Sequence, residues 1–196
     1  MGQVTRSGLL RRNRGFGKLP GRPGIWICLV VSLAVGLAGA CQAADESLEY
    51  QVKAVFLLNF TKFVEWTAGE FGAQNSPMEI CILGDDPFGS TLDRIVEGEV
   101  VNGRKVAAQR IKQAPPPKSC QILFVAKSEK DVSKVLAGLG PGVLTVGEGD
   151  GFMRDGGMIA FVIENRRVRF EINQAAAENA GIKLSSRLLN VAKSIL

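Results

Sequence analysis

The sequence predicts a single three-layer α/β domain: a mostly parallel sheet, helices on both faces, and an antiparallel hairpin at one edge. Two observations carry this. Apolar runs of strand length, Met78 to Gly84, Cys120 to Ala126 and Val143 to Val146, alternate with segments of helical period, and such continuous runs suit strands covered on both faces. Two later runs, Met158 to Ile163 and Arg167 to Ile172, are separated only by Glu164-Asn165-Arg166 and pair as a hairpin.

The domain is expected over residues 46–196, because 1–43 has another character. Its charges are Arg6, Arg11, Arg12, Arg14, Lys18 and Arg22, followed by an apolar run from Ile25 to Ala38 and then small residues. That order is a secretory signal peptide, with an uncleaved membrane anchor as the alternative. Cleavage fits after Ala40 or Ala43, and Ala38-Gly39-Ala40-Cys41 also resembles a lipidation site, which would leave an acylated Cys41 at the mature N-terminus. With those six cations removed, 18 basic residues stand against 19 acidic ones, for a net charge of −1. No electrostatic footprint for nucleic acid remains.

The first element is a helix across Leu48 to Trp66. At about 100° per residue, Val52, Phe56, Leu57, Phe60, Phe63 and Val64 share one arc, with Gln51, Lys62 and Glu65 opposite and Asn59 at the margin. Lys53, Lys62 and Glu65 make it a poor membrane span. A polar loop, Thr67 to Pro77, leads to the first strand. After the turn at Asp85 to Gly89, Ser90 or Thr91 caps a helix to Glu97. Asn102-Gly103 predicts a hairpin of two short strands within Glu99 to Ile111, with one strand over Lys105 to Ile111 entered through a turn as the alternative, and Ala114 to Lys118 is a stiff proline linker. A helix starts at Ser128 with Val132, Val135, Leu136 and Leu139 inward, and stops at Gly140-Pro141-Gly142. Glu148 to Gly157 is a glycine-rich loop with room for a helical turn. Asn173 caps a short helix ended by Gly181, and Ser186 caps a last helix to about Ile195.

No histidine is present, which removes Ser-His-Asp and Cys-His catalysis and histidine metal sites. Asp85-Asp86 after a strand is a possible metal or phosphoryl-acceptor pair, although a helix-leading turn explains it more simply. Gly147 to Gly151, GEGDG, lacks the Lys-Ser/Thr of a phosphate-binding loop, so its glycines are read as turn residues. No general base with a matched nucleophile is visible, so the chain is read as a non-enzyme without a cofactor. Cys81 and Cys120 remain after the leader is removed. Export makes them a candidate disulfide, with two unpaired buried thiols in neighbouring strands as the alternative. A bond across that spacing would stabilise by about 4 kcal/mol through loop closure.

Two stretches add a resemblance. Tyr50 to Trp66, YQVKAVFLLNFTKFVEW, and Arg169 to Ala192, RFEINQAAAENAGIKLSSRLLNVA, are similar to the opening and closing signatures of the YfiR family of periplasmic proteins. The resemblance spans about residues 46–196. It implies a periplasmic α/β domain that dimerises and represses a membrane diguanylate cyclase through the cyclase's periplasmic sensor region. It also implies sequestration by an outer-membrane, peptidoglycan-binding lipoprotein. Cys81 and Cys120 match the family's first cysteine pair; no cysteine follows Cys120, so a switch built on a second pair has no counterpart here.

The expected contact region is the polar strip of the first helix with the C-terminal strand edge: Asn59, Lys62, Trp66, Arg169, Glu171, Asn173, Ser185 and Ser186. The competing expectation is a small-ligand module, with its ligand at the strand carboxyl ends near Asp85 and Gly147.

Overall fold

A computed structural model describes residue 2 and residues 48–66, 76–114 and 119–196. The chain divides into two compact units, Met1–Gln42 and Ala43–Leu196, and the fold described here is that of the second. The loop expected at 67–75 and prolines 115–117 lie outside the described residues, as do the signal-peptide features and Cys41. Among the described residues no helix is long and apolar enough to cross a membrane.

The elements are helix α1 (48–63), β1 (Val64–Glu65), β2 (Met78–Leu83), α2 (Ser90–Val96), β3 (Val100–Val101), β4 (Arg104–Ile111), β5 (Cys120–Val125), α3 (Val132–Ala137), β6 (Leu144–Glu148), α4 (Gly149–Arg154), β7 (Ile159–Glu164), β8 (Arg167–Ile172), α5 (Gln174–Asn179), β9 (Lys183–Leu184), α6 (Ser186–Val191) and β10 (Ser194–Ile195). The main sheet runs β10-β8-β7-β6-β5-β2-β4-β3. Its five central strands, β7 to β4, are mutually parallel, with antiparallel β7–β8 and β4–β3 pairings flanking them. A separate two-stranded ribbon joins β1 to β9, pairing Val64 with Leu184.

Strand alternation divides the core between the two faces. Ile80, Ile82, Ile122, Phe124, Val146, Ile159, Phe161 and Phe170 form one cluster with residues of α1, α2, α5 and α6. Cys81, Leu83, Leu123, Val125 and Ala160 form the other with α3 and α4. Helices therefore cover both faces, as the largely apolar central strands require.

A bulge decides the cysteine chemistry. Glu79 pairs with Cys120 but Ile80 with Ile122, so Gln121 is an extra residue in β5. Its side chain accepts a hydrogen bond from the Glu79 N–H at 2.8 Å. If β5 kept strict alternation back from Leu123, the partner of Cys81, then Cys120, three residues earlier, would face the opposite side from Cys81. With the bulge, both sulfurs lie on the α3/α4 face and form a disulfide, Cα to Cα 5.8 Å. Of the two readings left open by spacing, the disulfide is the one the fold adopts.

Local structure departs from expectation at helix ends. The N-cap of α2 is Gly89, at φ 51°, and not Ser90 or Thr91. Helix α3 starts after Asp131 instead of at Ser128, because the Ser128 hydroxyl accepts from the Asp85 N–H at 2.8 Å. Ser185, one residue before the expected cap, accepts from the Leu188 N–H at 3.3 Å. The last helix stops at Val191, and Ser194–Ile195 instead extends the sheet beside Glu171–Ile172 outside the β7–β8 hairpin.

The buried arc of α1 is also rotated from the expected one. Val52 is 38 % exposed and Val55 46 %, whereas Lys53, Ala54, Leu57, Phe60, Thr61 and Val64 are buried. The stripe 53-57-60-64 has helical spacing, and Lys53 sits in line with it. Phe56 and Phe60 dock on the hairpin through Phe161 and Phe170, with ring centroids 5.3 to 6.0 Å apart.

Candidate functional site

The carboxyl ends of β2, β5 and β6 lie at one edge of the sheet, where open α/β folds hold ligands. The order in which strands join the sheet reverses between β2 and β5, so the crevice belongs between Gly84 and Ala126. The protein closes it: Ala126 donates to the Leu83 carbonyl at 2.9 Å, and Ser128 Oγ would lie 2.8 Å from a side chain added at Gly84. Beside it, the Phe152 ring fills the space that a Cβ at either Gly147 or Gly157 would need. Gly149 and Gly156 do serve as turn residues, at φ 74° and 97°, but Gly147 and Gly157 are there for close packing.

Asp86 is engaged as well. Its carboxylate accepts from the Phe88 N–H at 2.7 Å and from Arg110 Nε at 2.8 Å. Arg110 also reaches Asp93 and the Gly89 carbonyl. The hydrogen bond to Asp93 raises the Arg110 pKa most, the bond to Asp86 adds to it, and partial burial opposes both. Arg110 of β4 thus holds the turn before α2 through Asp86 and α2 itself through Asp93, while Asp85 is exposed; Asp85 and Asp86 do not converge.

The unexpected chemistry at this edge is a buried charge network. The Lys53 ammonium pairs with Glu49, one turn earlier in α1, and with Glu148 at the end of β6. Side chains of Lys53 and Glu148 are 2 % and 3 % exposed. Tyr50 donates its hydroxyl to Glu148 at 3.3 Å, its ring lies 4.4 Å below the ammonium, and the exposed Lys127 stands 3.4 Å from the same carboxylate. Burying such a pair is expensive unless the partners satisfy each other, as they do here. Its geometry fixes the start of α1 against the sheet. The sequence signal was present in the helical spacing of Lys53 with Leu57, Phe60 and Val64, but its partner lies 95 residues away.

Several of the expected contact residues are engaged in holding the fold, and the Ser185 N–H bond to the Phe63 carbonyl at 2.9 Å brings the C-terminal segment against the end of α1. Asn173 accepts from the Ala176 N–H at 3.0 Å and Ser185 caps α6, so both hold helix ends, while Ser186 is the first residue of α6. Glu171 binds Lys193 at 3.0 Å and so fastens β10. Arg169 lies 3.9 Å from Glu164 and Lys62 3.0 Å from Glu99, both at exposed pairs of small energetic weight. The indole N–H of Trp66 is buried and has no hydrogen-bond partner among the described residues. Asn59 and Lys62 lie on the outer side of α1, and Arg169 is on the hairpin.

The outer side of α1 also carries an apolar ridge. Leu48, Val52 and Val55 follow an i, i+4, i+7 spacing and are exposed, and Ile163 is exposed nearby at the hairpin tip. This second stripe was legible in the spacing, but the broader run of apolar positions concealed it.

The YfiR/HmsC-like family model matches residues 50–193. The chain belongs to the YfiR/HmsC-like family. Members of this family are periplasmic regulators and not enzymes. No curated protein sequence matches the chain. Similar solved structures include a conserved domain protein from Vibrio cholerae, 12 % identical with a TM-score of 0.40, covering 60 % of this chain and 54 % of that one. Another is an ABC domain in complex with L-Trp from Streptococcus, 10 % identical with a TM-score of 0.40, covering 61 % of this chain and 55 % of that one. The chain spans about half the length of each.

Proposed function

We propose that this YfiR/HmsC-like chain is exported to the periplasm and represses a membrane diguanylate cyclase, or a related sensor, by contact with the sensor's periplasmic region. The observation that carries the reading is the family match over 50–193, essentially the whole described domain. Two features support it. The strand-end crevice, where a small-ligand module would hold its ligand, is filled by Ser128 and Phe152. Exposed apolar side chains gather on α1 and the hairpin tip, which suits contact with another protein.

Repression by contact requires only that the protein bind one state of the sensor better than the other. A difference of about 1–3 kcal/mol shifts such an equilibrium 5- to 150-fold. Asn59, Lys62 and Arg169 are proposed to contribute from the rim of the contact. The homodimer and the sequestering outer-membrane lipoprotein belong to the same proposal, by family resemblance.

The test is genetic and chemical together. Deleting the gene raises cellular cyclic di-GMP, and the full-length chain restores it only while the cyclase partner is present. Unchanged cyclic di-GMP on both deletion and overexpression rejects the reading. Mass spectrometry of the mature N-terminus establishes where the leader ends and whether Cys41 carries lipid.

A further inference from the structure

We propose that the α1 ridge docks an amphipathic helix bearing carboxylates on its flanks, supplied by the regulated sensor. The identity of that source rests on the reading above; the chemistry of the segment rests on the surface itself.

Leu48 and Val52 form the wall shared by two grooves. One, of 380 Å³, runs between them and Ile163, Val168 and the arginines Arg166 and Arg167. The other, of 450 Å³, runs toward Val55, Ile95 and Arg94. A central ridge with a groove on each side is the relief that a packing helix meets, because its own side-chain rows insert on both sides of such a ridge. Apolar rows at i, i+3, i+4 and i+7 of the incoming helix would cover Leu48, Val52, Val55 and Ile163.

Charge specifies the rest of the occupant. Arginines line both grooves, and none of Arg94, Arg166 and Arg167 pairs with a carboxylate among the described residues. Among the described residues Arg94 donates to Thr91 of its own helix, at 3.2 Å. Glu49, which also lines the first groove, is committed to Lys53. The unmatched charge at the groove walls is therefore positive, and guanidinium groups favour paired, planar carboxylate acceptors. The turn at Asn165-Arg166 points the same way. Both residues have positive φ, 50° and 61°, and the second position of such a turn favours glycine. An arginine is kept there at a local conformational cost.

A second copy of this chain would bring the same cationic walls to the contact. An anionic membrane surface would match the charge, but it has no relief to enter two concave grooves. A helix with acidic flanks satisfies both the shape and the charge.

The experiment places a photo-cross-linking residue at Val52 or at Ile163 of the full-length chain in cells, with Lys134 on the opposite layer as control. Mass spectrometry then identifies the cross-linked peptide. All three positions are exposed, and thermal melts verify that each variant folds. Adducts from Val52 and Ile163 are expected on one segment with helical apolar spacing and flanking Asp or Glu. A synthetic peptide of that segment should bind the R94E/R166E/R167E variant about 10- to 100-fold more weakly than the parent chain, with reduced salt dependence. Adducts to a second copy, to lipid, or to a segment without carboxylates overturn the proposal, as does no adduct from either position. If the sensor is captured from Lys134 alone, regulation by contact stands and this surface is wrong. If Val52 and Ile163 capture an acidic amphipathic segment of a protein that is not a sensor, the surface stands and the sensor reading falls.

Discussion

Replacing Lys53 by methionine tests whether a buried ion pair positions the helix that bears the contact ridge. Lys53 and Glu148 are almost completely removed from water, and Lys53 is the cation that buried Glu148 meets inside the domain. Lys53→Met leaves Glu148 with the Tyr50 hydroxyl and with Lys127, which is 68 % exposed and 3.4 Å away. Orphaning one member of a buried pair costs about 3–5 kcal/mol. Partial compensation by Lys127 places the expected loss near the lower bound, about 3 kcal/mol. For a domain of this size that lowers the Tm by about 6–12 °C. Glu148→Leu should be comparably harmful, because Lys53 then keeps only Glu49, which is itself 28 % exposed. The double variant Lys53→Met/Glu148→Leu removes both buried charges and lets Glu49 and Lys127 turn to solvent. Its stability should return to within about 1 kcal/mol of the parent, because apolar replacement of a whole buried pair is near neutral. Urea denaturation of the three variants with the disulfide intact closes the cycle. Single losses below about 1 kcal/mol, or a double variant as unstable as the summed singles, would refute the reasoning.

Gly147→Ala forces a methyl group into the Phe152 ring and should cost about 1–3 kcal/mol by chemical denaturation; adding Phe152→Ala should remove that increment, leaving only the cavity loss. Cys81→Ser with Cys120→Ser opens the loop closed by the disulfide and should lower stability by about 4 kcal/mol, measured against the oxidised parent. Val55→Asp lies on the exposed ridge, so it should leave the melting curve within about 0.5 kcal/mol while abolishing repression in a cyclic di-GMP assay. Glu171 hydrogen-bonds Lys193 and raises its pKa above the ordinary lysine value. Because the folded value is the raised one, the β10 tether is fully present at neutral pH and is lost only as pH climbs through that alkaline range. Methyl resonances of Ile195 followed from neutral to strongly alkaline pH should shift through that range, and Lys193→Ala should show the shifted positions already at neutrality, with β10 still paired to β8 because the Lys193 and Leu196 N–H groups keep their bonds to the Phe170 and Ile172 carbonyls.

Much of the architecture is a local property of this sequence. Largely apolar runs of strand length at 78–83, 120–125 and 143–146 read as strands covered on both faces, and Asn102-Gly103 turns the chain at φ 51° and 78° because those residues tolerate the left-handed region. Asn173 caps α5 through an interaction three residues long. Arg166 and Arg167 adjoin in the sequence, but nothing local shows that they wall a groove with Leu48 and Val52.

Other features required partners that come together only on folding. Lys53 reads as a charge on a helix until Glu148 arrives beside it, and Val52 reads as core until the helix is rotated to admit that lysine. Cys120 would face away from Cys81 if β5 kept strict alternation, and Ser194–Ile195 becomes a strand because β8 offers it an open edge. Periodicity within a segment sets which elements form, since it depends on neighbours a few residues apart. Helix rotation, strand register and the company of a buried charge depend on contacts across the whole chain, and those only the tertiary structure decided.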